Sequence, residues 1–150
     1  VDLVADLVAP CPPEELFGWV DDLDRYPDWH AIVVAAHPVP EAPDDPGPAW
    51  SVDLRARVGP LARSKRLRMV RVDHEPARRV AFARRELDGR EHGRWELTAE
   101  VAPEGTGSRL DVVLRYGGRL WAPVLERVLA DEIERSRARL LALVGDGSAT

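Results

Sequence analysis

Residues 9–39 read A-P-C-P-P-E-E-L-F-G-W-V-D-D-L-D-R-Y-P-D-W-H-A-I-V-V-A-A-H-P-V, and their order decides the fold. An extended apolar run over residues 3–9 leads in and is halted by Pro12 and Pro13. Proline is tolerated in the first turn of a helix, so Pro13 opens a short one over residues 13–20 that carries Leu16, Phe17 and Val20 on one side. A second short helix follows at 24–29, and a second strand at 32–38. Working outward, period-two alternation and turn residues predict strands at 49–58, 64–72, 79–87, 91–101 and 108–117. From 121 to 144 the period changes to that of a helix. Trp121, Val124, Leu125, Val128, Leu129, Ile133, Leu140, Leu141 and Val144 form one stripe at spacings of three, four and seven. Gly145 is expected to end this helix and leave 145–150 as a fraying tail. Residues 38–48 hold five prolines and three acids, which makes a stiff connection inside one domain. The expected architecture is α+β: a seven-stranded, curved antiparallel sheet wrapped around a long C-terminal helix, with two short helices after the first strand.

Composition excludes several function classes. The chain has 150 residues, 45% of them apolar, enough for one domain over 1–150 with one core. No apolar run approaches the ~18 residues of a membrane span, and no charged-then-apolar leader heads the sequence, so a cytoplasmic location is expected. Cys11 is the only cysteine, which rules out an internal disulfide and a multi-cysteine zinc site; it reads as a small buried hydrophobe. Arginine outnumbers lysine 20 to 1, a skew of GC-rich, actinobacterial-type composition, and Lys65 is the single lysine. Charge is uneven: residues 1–60 carry −9, 61–95 carry +6 and 96–150 carry −2. A nucleic-acid reader would pair such a basic stretch with stacking aromatics and a basic pI, whereas the pI here is about 5.4. No nucleic-acid partner is therefore expected. The arginines suit the solvated outer face of an antiparallel sheet. The four histidines lack metal-ligand spacing, and no G-x-S-x-G, P-loop or G-x-G-x-x-G occurs, so neither metal nor cofactor is expected. Oligomeric state is not legible.

Register arguments place side chains on the inner face. A two-residue hairpin at Asp88–Gly89 would pair Phe82 with Trp95. Closing Val101 on Leu110 pairs Trp95 with Tyr116 and Leu97 with Leu114. A four-residue loop at 74–77 would pair Met69 with Phe82, making Met69, Phe82, Trp95 and Tyr116 one row. A four-residue loop at 59–62 would set Val52 opposite Met69, since a two-residue Gly59–Pro60 turn puts proline where it is disfavoured. The strand 64–72 resists this pattern. Leu67 and Met69 share a face with Arg63, Lys65 and Arg71, while Val70 and Val72 share the other with Arg66 and Arg68. A bulge near Met69 would turn Arg66 or Arg68 inward.

The pre-helix proline, the Leu16-Phe17-x-x-Val20 face and the D-x-x-R-Y-P-D-W run from Asp22 to Trp29 resemble the START-like (SRPBCC) superfamily, in particular its polyketide cyclase/dehydrase and lipid-transport branch. The resemblance implies a helix-grip fold with an internal cavity. Its ligand-binding wall would comprise Tyr26, Trp29, Trp50, Val52, Leu54, Leu67, Met69, Phe82, Trp95, Leu97, Val112, Leu114 and Tyr116, closed by Trp121, Leu125 and Leu129. The entrance would lie where Trp29, His30, Leu61, Leu87 and Trp121 gather, with His30 as a surface base of ordinary pKa and with transient membrane-surface contact through Leu61 and Trp121. Three functions follow: a non-catalytic binder or carrier of a hydrophobic small molecule such as a lipid, quinone or polyketide, which is the preferred reading; a cyclase, aromatase or dehydratase with Arg66, Arg68 or Tyr116 as catalytic candidates; and, through L-F-x-x-V…R-Y-P, a coenzyme Q-binding type of quinone chaperone.

Overall fold

The computed structural model describes the backbone of residues 2–58, 60–117 and 122–148, and their side chains other than those of 56–58, 61, 63, 122–130 and 145–148. In chain order the elements are β1 (Asp2–Ala9), α1 (Pro13–Gly18), a 3-10 helix (Leu23–Asp28), β2 (Val33–Val39), β3 (Ala49–Val58), β4 (Leu61–Glu75), β5 (Arg79–Arg84), β6 (Trp95–Glu104), β7 (Gly107–Tyr116) and α2 (Ala122–Ser148). The strands form one antiparallel sheet in the order β1-β7-β6-β5-β4-β3-β2. Its concave face grips α2, the helix-grip arrangement expected from the sequence.

Local chemistry explains the short elements. Pro13 starts α1, which buries Leu16 and Phe17. The expected second helix is a 3-10 turn: Asp22 caps it by accepting the Asp24 N–H at 3.0 Å, and Pro27 inside it cannot support an α-helical ladder. Helix α2 runs to Ser148, so Gly145 does not end it. A glycine inside a helix costs only about 1 kcal/mol. On its described surface α2 buries Ser136, Leu140 and Val144, one side of the stripe.

Register differs from expectation in three places. Trp50, not Val52, lies opposite Met69, and Val58 pairs with Leu61. Only two residues therefore separate β3 from β4, despite the proline. Arg71, not Met69, lies opposite Phe82, because the turn tightens around Ala77 at φ 63° and a bulge falls between Arg71 and Asp73. Phe82 pairs with Leu97 rather than Trp95. Here Asp88–Gly89 is not a tight hairpin. Residues 85–94 form a loop instead, held by its own side chains: Glu86 accepts the N–H of Arg68 on the neighbouring β4 at 3.2 Å and Asp88 the Arg90 N–H at 3.0 Å. The single row of four residues is thus broken, although each slip spans two residues and preserves the faces. β6 and β7 pair as expected, Trp95 with Tyr116 and Val101 with Leu110.

The outer face of β4 is also covered. Residues 38–48 fold over it, and Arg68 holds them by donating to Asp45 at 2.6 Å and to the Pro40 carbonyl at 3.2 Å. Val70, on the same face, is fully buried beneath this segment. A Cβ at Gly47 would lie 2.6 Å from the Arg71 carbonyl oxygen, so only glycine permits this approach.

Candidate ligand cavity

The two ends of the concave face differ. Toward the β1–α1 connection, Leu16, Val20, Val80, Ala99 and Val144 are fully buried in a packed core. Ser108 seals it by donating to the Cys11 carbonyl at 2.6 Å, and burial pushes the Cys11 thiol pKa up. Toward the other end the packing loosens, and cavities among the described residues include two bordered by His30.

The inner void, about 50 Å³, is lined by Leu23, Tyr26, His30, Ile32, Val33, Val52, Leu54, Leu67, Met69, Phe82, Trp95, Leu97 and Leu114. The second, about 70 Å³, lies between β1 and α2, lined by Ala5, Asp6, Leu7, Trp29, His30, Leu110, Val112, Ile133, Ser136, Arg137 and Leu140. Of the wall expected from the sequence, Tyr26, Val52, Leu54, Leu67, Met69, Phe82, Trp95, Leu97 and Leu114 line the inner void, and Trp29 and Val112 the second. Trp50 stands behind Phe82, edge-on at 5.6 Å, with its indole N–H on the Asp24 carboxylate. Tyr116 stacks on Trp95 at 5.7 Å and lines neither void. Trp121 and the side chains of Leu125, Leu129 and Leu61 lie outside the described residues. Leu87 is exposed at the rim.

Arg66 and Arg68 point away from the cavity, which corrects the expectation that a bulge turns one of them inward. The bulge falls beyond both, at Arg71–Asp73. Arg66 has 75% of its side chain in solvent and pairs with Asp53 at 2.7 Å; Arg68 clamps the outer segment. Described cations on the inner-face positions of β4 and β5 include Lys65, two residues from Leu67, Arg71, opposite Phe82, and Arg84, opposite Met69. The Lys65 ammonium sits 5.7 Å from the Trp95 ring centroid, and partial burial together with Arg84 lowers its pKa. Arg84 pairs with Glu86 at 2.9 Å.

His30 corrects the expectation of a surface base. It is half-buried between the voids, and burial pushes its pKa down to about 4. Its ring packs beside Tyr26 and Trp29. Helix α2 fixes the neighbouring backbone: Ser136 accepts the Ala31 N–H at 2.9 Å while donating to the Glu132 carbonyl at 2.8 Å. No short-range signal marks Ser136, whose partner is 105 positions away. Among the described residues no cluster of three or more His, Cys, Asp or Glu is arranged to hold a metal ion, and no helix there is long and apolar enough to cross a membrane.

A family model described as polyketide cyclase / dehydrase and lipid transport matches residues 2–145. A START superfamily protein from Mycobacterium smegmatis superposes with a TM-score of 0.73 at 14% identity, covering 97% of both chains. A protein from Thermus thermophilus does so with a TM-score of 0.67 at 19% identity over 95% of this chain and 99% of its own. The di-domain ARO/CYC StfQ from the steffimycin biosynthetic pathway matches all of this chain with 52% of its own length, at a TM-score of 0.70 and 15% identity. At such identities these likenesses establish the fold alone. No curated protein sequence matches the chain.

Proposed function

Because the chain belongs to the polyketide cyclase/dehydrase and lipid transport family, we propose that the open end of its concave face binds a hydrophobic small molecule and acts as a carrier rather than a catalyst. The observation that carries this reading is the inner void, bounded by aliphatic and aromatic side chains from the 3-10 helix, β2 and every strand from β3 to β7. Sites of this kind combine apolar walls with few polar groups. The void holds only a handful of waters, whereas pockets for drug-sized ligands measure roughly 300–1,000 Å³. Loading therefore requires the walls to part. Trp95 is the wall residue suited to move, being half-buried at the rim and held by stacking on Tyr116 and by the Lys65 ammonium.

The arginine-based cyclase reading loses its proposed donors, since a group that stabilises a developing oxyanion must be aimed at it, and Arg66 and Arg68 lie on the other face. Native mass spectrometry of freshly purified protein tests the carrier reading. A co-purifying apolar ligand, displaced on addition of an apolar probe with a change in tryptophan fluorescence that Trp95→Ala abolishes, is the expected result. Absence of binding across fatty acid, polyprenyl quinone and polycyclic probes would overturn it.

A further inference from the structure

We propose that the Nε2–H of His30 is a hydrogen-bond donor for the ligand, and that the ligand class is an uncharged apolar molecule carrying a ketone, quinone or ester oxygen. This inference rests on the cavity reading above and adds the chemistry of the head group. His30 lines both voids, so its ring stands where any occupant of either must pass or rest. Its Nδ1 lies 3.3 Å from the Ile32 peptide nitrogen. A peptide N–H can only donate, so Nδ1 carries the lone pair and the ring proton of the neutral imidazole is on Nε2. No carboxylate pairs with the ring among the described residues; Tyr26 stacks on it at 6.1 Å and Trp29 packs against it at a tilt, 5.4 Å away.

The polar tips of Tyr26, Trp29 and Trp50 are committed to the protein. The Tyr26 hydroxyl donates to the Val20 carbonyl at 2.8 Å, the Trp29 indole to the Trp19 carbonyl at 2.9 Å, and the Trp50 indole to Asp24. Within the inner void's lining this leaves His30, together with the Trp95 indole at the rim, to meet a ligand. A neutral N–H in an apolar enclosure matches a neutral acceptor. A carboxylate placed in the inner void would be an ion removed from water: no cation among the described residues lines that void, and Arg137, which lines the second void, already pairs with Asp6 at 3.7 Å and Glu134 at 3.2 Å, so burying such a charge is costly. An occupant with no acceptor would leave the N–H unsatisfied.

Isothermal titration with 1-tetralone and tetralin, rigid bicycles that differ by one carbonyl oxygen, tests the assignment. The wild-type protein should bind the ketone about three- to tenfold more tightly, the range for one net hydrogen bond. His30→Leu should abolish the difference by weakening the ketone alone, and His30→Gln, which keeps an N–H donor, should retain part of it. Should the variants fail to fold, the ring of the wild-type protein reports directly: the Nε2–H proton resonance should move downfield with tetralone and stay in place with tetralin. Equal affinities, an unmoved resonance, or 1-naphthoate binding as tightly as tetralone at pH 8 would overturn the inference while leaving an apolar-ligand cavity standing. Failure of all three compounds to bind would overturn the cavity reading and this inference with it.

Discussion

The two ends of the concave face are built from the same strands with the same alternation, yet only one is a core. At the closed end, α1 and the C-terminal part of α2 press on the sheet, and Leu16, Val80 and Val144 are fully buried. At the open end the sheet faces the 3-10 helix, which contributes Leu23 and Tyr26 to the inner void. Leu54, Trp95, Leu97 and Leu114 stay half-buried there, with a void between them and the 3-10 helix. The difference shows that alternation decides which side chains face inward, while the element laid over them decides whether they become core or cavity wall.

Substitution should separate the ends most strongly. Leu16→Ala, at a fully buried position, is expected to cost about 3–5 kcal/mol, because a tightly packed site cannot collapse around the lost atoms. Leu97→Ala, beside the void, should cost less than half of that. Chemical denaturation measures both, and equal losses would erase the distinction.

The next effect is a pH dependence. In the unfolded chain His30 titrates at about 6.5, whereas burial pulls it to about 4 in the folded protein. Between these values the unfolded state binds the extra proton, so stability rises with pH through the window. The contribution is fully present above about pH 6.5 and lost as pH falls toward 4. It amounts to about 3 kcal/mol at most. The difference in unfolding free energy between wild type and His30→Gln should therefore shrink over this window. A difference independent of pH would show that His30 titrates normally.

The smallest effects concern the outer face. Arg68→Met should lower the thermal midpoint, because it leaves the Asp45 carboxylate under the outer segment without its partner. Arg66→Met should leave it unchanged, since an exposed pair contributes little. Neither should alter ligand binding. A binding defect in Arg68→Met at unchanged stability would restore β4 arginines to the site.

How much of this was legible in the sequence follows the same division. The α2 stripe and the strand alternation identified the helix-grip fold and the facing of Leu67, Met69, Phe82, Trp95 and Leu97, because a two-residue slip in register leaves each side chain on its face. The rows were not legible. The loop 85–94 is held by Glu86 and Asp88 side chains that pattern reading treats as turn residues, and proline at position 60 argued against a connection the sheet adopts. Val70 misled for a physical reason: its apolar character suggested a bulge turning Arg68 inward, whereas residues 38–48 bury the outer face. His30 was illegible because the second void it lines is completed by residues of β1, β7 and α2, all far away in the chain.

The most direct test of an open-end cavity is methyl and indole chemical-shift mapping on adding tetralin, a probe with no polar group. Shifts concentrated at Met69, Trp95, Leu97 and Leu114, with Val80, Val101 and Val144 unmoved, are the result predicted here. Shifts centred on the closed end, or none at saturating probe, would contradict it.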